Sequence, residues 1–569
     1  MWSVSILINI NKILAIILLT WYKSIMFIKR CLSKFRDKEY ETFWIVESYR
    51  TESGKTKHKY LLNVTKLLPH QRENLKKVLN NPDAIVYEDI GEIFDESYSY
   101  GEIVFLLTIF KQIGLTGILQ KHLDKKTLSH ILLLILNRVI NPSSKLESVS
   151  WIRNTAYPLF TELTEKDLNV NRIYESMDKF HEKMDLIMED FYKISGEVPK
   201  LLLYDITSTY FEGSSVRRAK YGYSRDKRDS NPQLILGLVL NENGFPIHFE
   251  IFDGNIQDKN TVIQVIEKIK ERFNIEKVIF VGDRGMISTK NIEKLIELEF
   301  GYILALKHKE ARELLKNKNI QPELFDSELP ASILFDAGKK YILCGSPYRR
   351  ERDLRSFESL LNKGREALIE ISNMVNNCVI KDYEKVIRRA EKKLSRTNAS
   401  QYFDFEYKNG EFKYWEKTEL IEKSFNLCGY YILETTEKDL SEIEIENKYK
   451  SLQEVERAWR DLKDIVEIRP IFHWRDRRVE THIYICLLAQ TVIGYTRRKL
   501  KEKGWLSKVK ENTLINFFEK LKSINIGKFN IGGNTVYAVQ NNNPLKDLLL
   551  LVFNISPFDY KKDKLYCSI

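Results

Sequence analysis

Three carboxylates sit where a chain gains little by placing them unless they work. In "LLLYDITSTYF", Leu201 to Phe211, three leucines and a tyrosine run straight into Asp205. In "KVIFVGDRGM" a second apolar run ends in Asp283. Desolvating a charge is costly, so each carboxylate is paired or holds something positive. The third candidate is Glu456, in "YKSLQEVERAWRDLK". At about 100° per residue, Tyr449, Leu452, Glu456, Arg460 and Lys463 fall within roughly an 80° arc of one helix. Ala458, Trp459, Leu462, Ile465 and Val466 form the neighbouring apolar arc. Taken alone, Glu456 and Arg460 read as an ordinary i, i+4 surface pair. Converging, the three acids would repel one another unless a cation intervened. Hard divalent cations take oxygen ligands, and Mg²⁺ commonly uses one or two carboxylates plus substrate phosphate oxygens. Two such ions about 4 Å apart activate water or a 3′-hydroxyl and stabilise the leaving oxygen of a phosphodiester.

The loop after Asp205 points to a polyanion independently. Arg217, Arg218, Lys220, Arg225, Lys227 and Arg228 stand against one acid, Asp226, with Tyr221 and Tyr223 interleaved. Such clusters hold backbone phosphates, and tyrosines stack on exposed bases; the plainer reading is a solvated basic loop. Ser208 has no nearby histidine in sequence to activate it, so a turn or capping role is expected. His473 and Trp474 in "RPIFHW" are expected to form a packed aromatic corner, and His248, alternating with apolar residues, to be structural. No P-loop or dinucleotide fingerprint appears, so no nucleotide energy source is expected.

The elements that must position these residues can be read from periodicity. Residues 42–67 read as a hairpin and 70–82 as a polar helix; about 100–198 is helical throughout, broken at Asn141–Ser144. From 200 the order becomes β-β-β-α-β-α-β, with Asn243-Gly244 as a hairpin turn. This predicts an α/β mixed five-stranded sheet with flanking helices, its site beyond the carboxyl ends of strands. Residues 309–430 read as an insertion, not a continuation of the sheet. Residues 443–467 read as one helix, about 477–500 as another, and the tail as a helix, a Gly-Gly turn at 532–533 and a last apolar helix. The expected domains are 1–25 (apolar leader), 26–90, 91–198 (helical, DNA-binding or scaffold), 199–308 and 431–505 (the catalytic core in two parts), 309–430 (an inserted α+β subdomain) and 506–569 (helical tail). The chain has 569 residues and a net charge of +11, which points only weakly to an anionic partner. Its six cysteines show neither zinc-ribbon spacing nor a secreted disulfide framework. The leader admits three readings: a membrane span, a signal peptide, or reading frame upstream of a start at Met26. The third is the expectation.

With these residues in view, the sequence resembles the DDE transposases of bacterial insertion sequences. It resembles the branch with a Tyr-(2)-Arg-(3)-Glu-(6)-Lys signature, here Tyr449, Leu452, Glu456 and Lys463, with leucine in the arginine position. "YGYSRDKRDSNPQL", "GDRGM" and "RPIFHWRDRRVETHIYICLLA" add to the resemblance. It implies an RNase H-like catalytic domain with Asp205, Asp283 and Glu456 as catalytic and metal-binding acids. It implies Mg²⁺ as cofactor, with Mn²⁺ as a substitute, and Tyr449, Arg460 and Lys463 gripping DNA near the cut. The implied activity is cleavage at terminal inverted repeats and strand transfer into target DNA. A homodimer on double-stranded DNA, at the nucleoid in the cytoplasm, follows. The alternatives are an RNase H-fold nuclease that only hydrolyses and an inactive DNA-binding derivative.

Overall fold

The computed structural model describes residues 25–35, 38–51, 53–80, 94–194, 198–212, 216–225, 228, 230–275, 278–283, 287–322, 325, 329–508, 513–531, 534–540, 545–555 and 558–568. Residues 1–24 of the leader, Lys227 and the 532–533 turn lie outside these residues. Among them, no single helix is long and apolar enough to cross a membrane. The chain divides into two units, Met1–Glu96 with Lys528–Val536, and Ser97–Gly527 with Tyr537–Ile569.

In the first unit the expected hairpin is Lys38–Arg50 against Thr56–Asn63. A strand the periodicity did not reveal, Ile25–Phe35, extends it to a three-stranded antiparallel sheet. The helix Pro69–Asn80 follows. Arg72 anchors its start: the guanidinium lies 4.0 Å from the Phe43 ring centroid and donates to the Thr65 and Leu67 carbonyls.

The second unit begins with the helical block. Gly101–Gln112, Leu115–His122, Lys125–Ile140, Lys145–Arg153 and Val170–Tyr192 are all helices. The starts of the last three follow capping chemistry. The Asp124 carboxylate accepts from the Thr127 amide, and Ser144, closing the Asn-Pro-Ser-Ser break, accepts from Glu147. Lys125–Ile140 is buried nearly all round, so it is the hub of the block rather than a surface helix.

A single mixed sheet then holds the centre. Its strands, numbered along the chain, are β1 (Leu201–Tyr210), β2 (Gln233–Leu240), β3 (Pro246–Asp253), β4 (Ile279–Gly282), β5 (Gly301–Ala305), β6 (Ala331–Asp336), β7 (Lys339–Gly345) and β8 (Tyr430–Thr435). The spatial order is β6-β7-β8-β5-β4-β1-β2-β3. The β1–β4 and β4–β5 pairs are parallel, and the others antiparallel. The expected five strands are present, but the sheet has eight. β6, β7 and β8 continue it, so the reading of all of 309–430 as an excursion from the sheet is corrected. What does leave the sheet is residues 346–429. They comprise two long helices (Pro347–Asn376 and Tyr383–Ser395), a hairpin (Phe403–Lys408, Glu411–Glu416) and a shorter helix (Thr418–Asn426), with a core of their own. Their ends meet: Gly345 pairs with Tyr430, and the Ser346 amide donates to the Gly429 carbonyl at 3.0 Å. Gly429 has φ +89°, and a Cβ there would come 2.5 Å from the Arg350 Cβ.

Both faces of β1 are covered, which is why it reads as a nearly unbroken apolar run. Leu202, Tyr204 and Ile206 pack with Val265, Ile266 and Ile269 of the helix Val262–Phe273. Leu201 and Leu203 face the other way, into the core shared with Val455, Trp459 and Leu462. Successive side chains alternate across a strand. Asp205 therefore points to the same side as Leu201 and Leu203, the side covered by the helix that carries Glu456.

Candidate active site

β1 and β4 run parallel with Leu203 opposite Val281. Asp205 and Asp283 each lie two residues further along, so the register brings them to neighbouring positions. Glu456 comes from the helix Gln453–Asp464, which packs on β1 and β2 through Val455, Ala458, Trp459 and Leu462. Glu456 itself is exposed. The helix is fixed from behind by Asp461, almost wholly buried, whose carboxylate receives both terminal nitrogens of Arg497 from the long helix Asp476–Glu502.

Electrostatics link the three acids. Burial, first, and then the Glu456 and Asp283 carboxylates push the Asp205 carboxyl up to about 6, against Arg225 and the Ile206 amide. Tyr449 is pushed up to about 12 by burial and the charges of Asp283 and Glu456, so its phenol stays a neutral donor beside the acids. The acids thus influence one another through their charges, with Arg225 opposing at Asp205. Among the described residues, no three His, Cys, Asp or Glu side chains are grouped so as to hold a metal ion. The acids are electrostatic neighbours, not a closed cage. By donor chemistry the set suits a hard divalent cation: every donor is a carboxylate oxygen, and added positive charge would relieve the repulsion at Asp205.

The expected single helix over 443–467 is two: Glu442–Lys450 and Gln453–Asp464, broken at Ser451–Leu452. Tyr449 lies in the last turn of the first. Leu452 is only 8% exposed and belongs to the core, so the leucine in the arginine position is a packing residue. Arg460 is exposed and Lys463 half-buried.

The basic loop is divided in its use. Arg217, Lys220, Tyr221 and Arg228 are exposed, Tyr221 at 63%, as is Tyr223. Arg218 is engaged within the fold, donating to Asp253, Glu480 and the Ile251 carbonyl. Arg225 pairs with Asp258. Its amide donates to the Ser208 hydroxyl at 3.1 Å, which gives Ser208 a turn-fixing role. Trp474 does not form a packed corner: it is 63% exposed, while His473 lies against Tyr174 and His482.

Three residues at the site carried no signal in sequence. Lys307, Arg349 and Tyr431 line a pocket of about 220 Å³ together with Asp283 and Tyr449. Arg349 sits 4.6 Å from the Tyr431 ring centroid. It belongs to a run of charges, "YRRERD", in which one functional arginine is indistinguishable from solvated neighbours.

Two aspartates thus stand in register on neighbouring parallel strands, with the glutamate helix packed on the same face of the sheet. The chain belongs to the DDE transposases: the family described as "Transposase DDE domain" matches residues 197–492, more than half of its length. DNA is accordingly its partner. Within that class it is an insertion-sequence transposase, since residues 28–84 match the "IS1634 family transposase, N-terminal domain". No curated protein matches the chain. Among solved structures it is similar to the piggyBac transposase synaptic complex with hairpin DNA determined by cryo-EM. The identity is 9% and the TM-score 0.39, over 74% of this chain and 79% of that one.

Proposed function

We propose that the protein cuts DNA at the terminal inverted repeats of its element and joins the freed 3′-hydroxyls to target DNA, using Asp205, Asp283 and Glu456 as its acids. The sheet order β3-β2-β1-β4-β5 is read as an RNase H-like core. The observation that carries the proposal is the register of β1 and β4, which sets two aspartates side by side beneath the glutamate helix. Asp205, influenced by both other acids, is the shared member of the set, and all three, drawn closer together than they stand here, would hold Mg²⁺ or Mn²⁺. When bound, the cation supplies Lewis-acid activation of the attacking hydroxyl and charge stabilisation at the leaving oxygen. The chain's own residues do the rest. Tyr449, kept neutral, donates a hydrogen bond beside the acids. Arg460, Lys463, Arg217, Lys220 and Arg228 hold phosphates and orient the strand. Two element ends must be handled together, so the working form is a homodimer on DNA.

The test is cleavage of a supercoiled plasmid carrying the element ends, with Mg²⁺. Asp205→Ala should abolish cleavage while DNA affinity stays within about twofold. Cleavage surviving in Asp205→Ala refutes the assignment. Nicking without joined products would mark the protein as a hydrolytic nuclease.

A further inference from the structure

Phe472 is 75% exposed and Trp474 is 63% exposed, two residues apart. Large aromatics in solvent cost free energy unless something covers them. The chain around them is well anchored. Ile471 is buried and bridges to Phe211, with its amide 3.5 Å from the Tyr210 carbonyl. His473 turns inward, its ring 6.0 Å from that of Tyr174 and 5.6 Å from that of His482. Phe472 and Trp474, on either side of the inward-turned His473, are left facing solvent as a pair.

The surroundings say what covers them. The Arg475 guanidinium lies 4.8 Å from the Trp474 ring centroid. The Arg217 amide donates to Asp476 at 3.2 Å, which ties the basic loop to the same segment. Arg228 stacks 5.6 Å from the ring of Tyr210, the residue whose carbonyl Ile471 meets. An apolar protein partner would have to desolvate these cations, whereas a polyanion bearing aromatic faces satisfies both features at once. Stacking of bases on aromatics beside cations is how proteins hold unpaired nucleic acid.

We infer that Phe472 and Trp474 form a hook that stacks on unpaired bases of DNA, beside the phosphate-binding loop that starts at the end of β1. The inference rests on the DNA-cutting reading above and adds a requirement: the DNA engaged here has bases out of the duplex. The hook holds the strand by its bases while the loop holds its phosphates.

The experiment uses the full chain and three labelled probes read by fluorescence anisotropy. One is a duplex with a short thymine extension, the second the same duplex with the extension abasic, and the third blunt. The first two carry the same phosphates, so their difference isolates the bases. The wild type should prefer the thymine probe to the abasic one by about tenfold. The Phe472→Ala/Trp474→Ala double variant should lose that preference, with the loss confined to the thymine probe, and Trp474→Phe should keep most of it. Equal affinity of the wild type for the thymine and abasic probes overturns the inference. So does a double variant weakened equally on all three probes, since a merely structural role would do that. Plasmid cleavage separates the two readings: a chain that cleaves yet shows no base preference sinks the hook alone, and one that shows the preference yet never cleaves sinks the transposase chemistry alone.

Discussion

Arg497→Met should loosen the helix that carries Glu456, and the size of the effect can be worked from the clamp behind it. The side chains of Asp461 and Arg497 are 6% and 17% exposed and joined by two hydrogen bonds. Methionine keeps much of the volume and removes the charge. Removing one partner of a buried pair costs about 3–5 kcal/mol. An upper limit exists, because the stranded carboxylate can take up a proton instead. Its ordinary value is 3.8, so protonation at pH 7 costs roughly 4.4 kcal/mol at about 1.36 kcal/mol per pH unit. At pH 5.5 the same limit is roughly 2.3 kcal/mol. Arg457 and Arg460 also favour the charged form, so we expect about 3 kcal/mol at pH 7. The sign follows from linkage. Burial already holds the folded-state value above the unfolded one and the variant raises it further, so stability is lost as pH rises between them and regained as pH falls. Native-state hydrogen exchange of the amides in Gln453–Asp464 reads this locally, without assuming that so large a chain unfolds in one step. Protection should fall about 100-fold at pH 7 and visibly less at pH 5.5. Asp461→Asn/Arg497→Met, with no charge left to bury, should recover most of it. A loss under threefold, or one unchanged between the two pH values, would refute the reasoning.

Glu102 is 1% exposed, and burial pushes its carboxyl up to about 7, with Ser99 opposing. Its charged form therefore weakens the fold increasingly as pH rises from its ordinary 4.5 through about 7. Glu102→Gln should stabilise by about 2–3 kcal/mol at pH 8 and by little at pH 4.5, read as the difference in thermal midpoints. Lys220→Ala should weaken DNA binding about equally for all sequences and flatten the log–log salt dependence by about 0.9. Arg218→Met should instead leave the salt slope unchanged and cost about 1 kcal/mol of stability, its pairs with Asp253 and Glu480 being partly exposed; equal slopes for the Lys220 and Arg218 variants would collapse that distinction.

Much of this was legible because it is local. The apolar run into Asp205 is a strand buried on both faces, and the Asn243-Gly244 turn fixes the neighbouring hairpin. The Asp124 and Ser144 caps mark helix starts. What escaped is what long-range pairing decides. β6 and β7 are short strands with no strong alternation, and nothing local says that they pair beside β8 rather than with one another alone. The break at Ser451–Leu452 is invisible to periodicity, because Leu452 keeps the helical phase while its side chain is drawn into the core. Arg218 and Arg217 are adjacent and alike in sequence. Only the fold shows that one is tied to Asp253 and Glu480 and the other faces solvent. The exposure of Trp474 is hidden from the sequence for the complementary reason: its inward neighbour, His473, satisfies the packing.

The segment 346–429 departs from β7 and comes back on β8 at adjoining positions, closed by Gly345–Tyr430 pairing and the Ser346–Gly429 bond. An appendage that leaves and rejoins the sheet at adjoining strand ends can be lengthened or exchanged beyond its first turn, which carries Arg349 into the pocket, without shifting the register of the strands that bear the aspartates. The junction is thus a place where evolution, or an engineer, can change what the protein reaches while the sheet that carries the aspartates stays put.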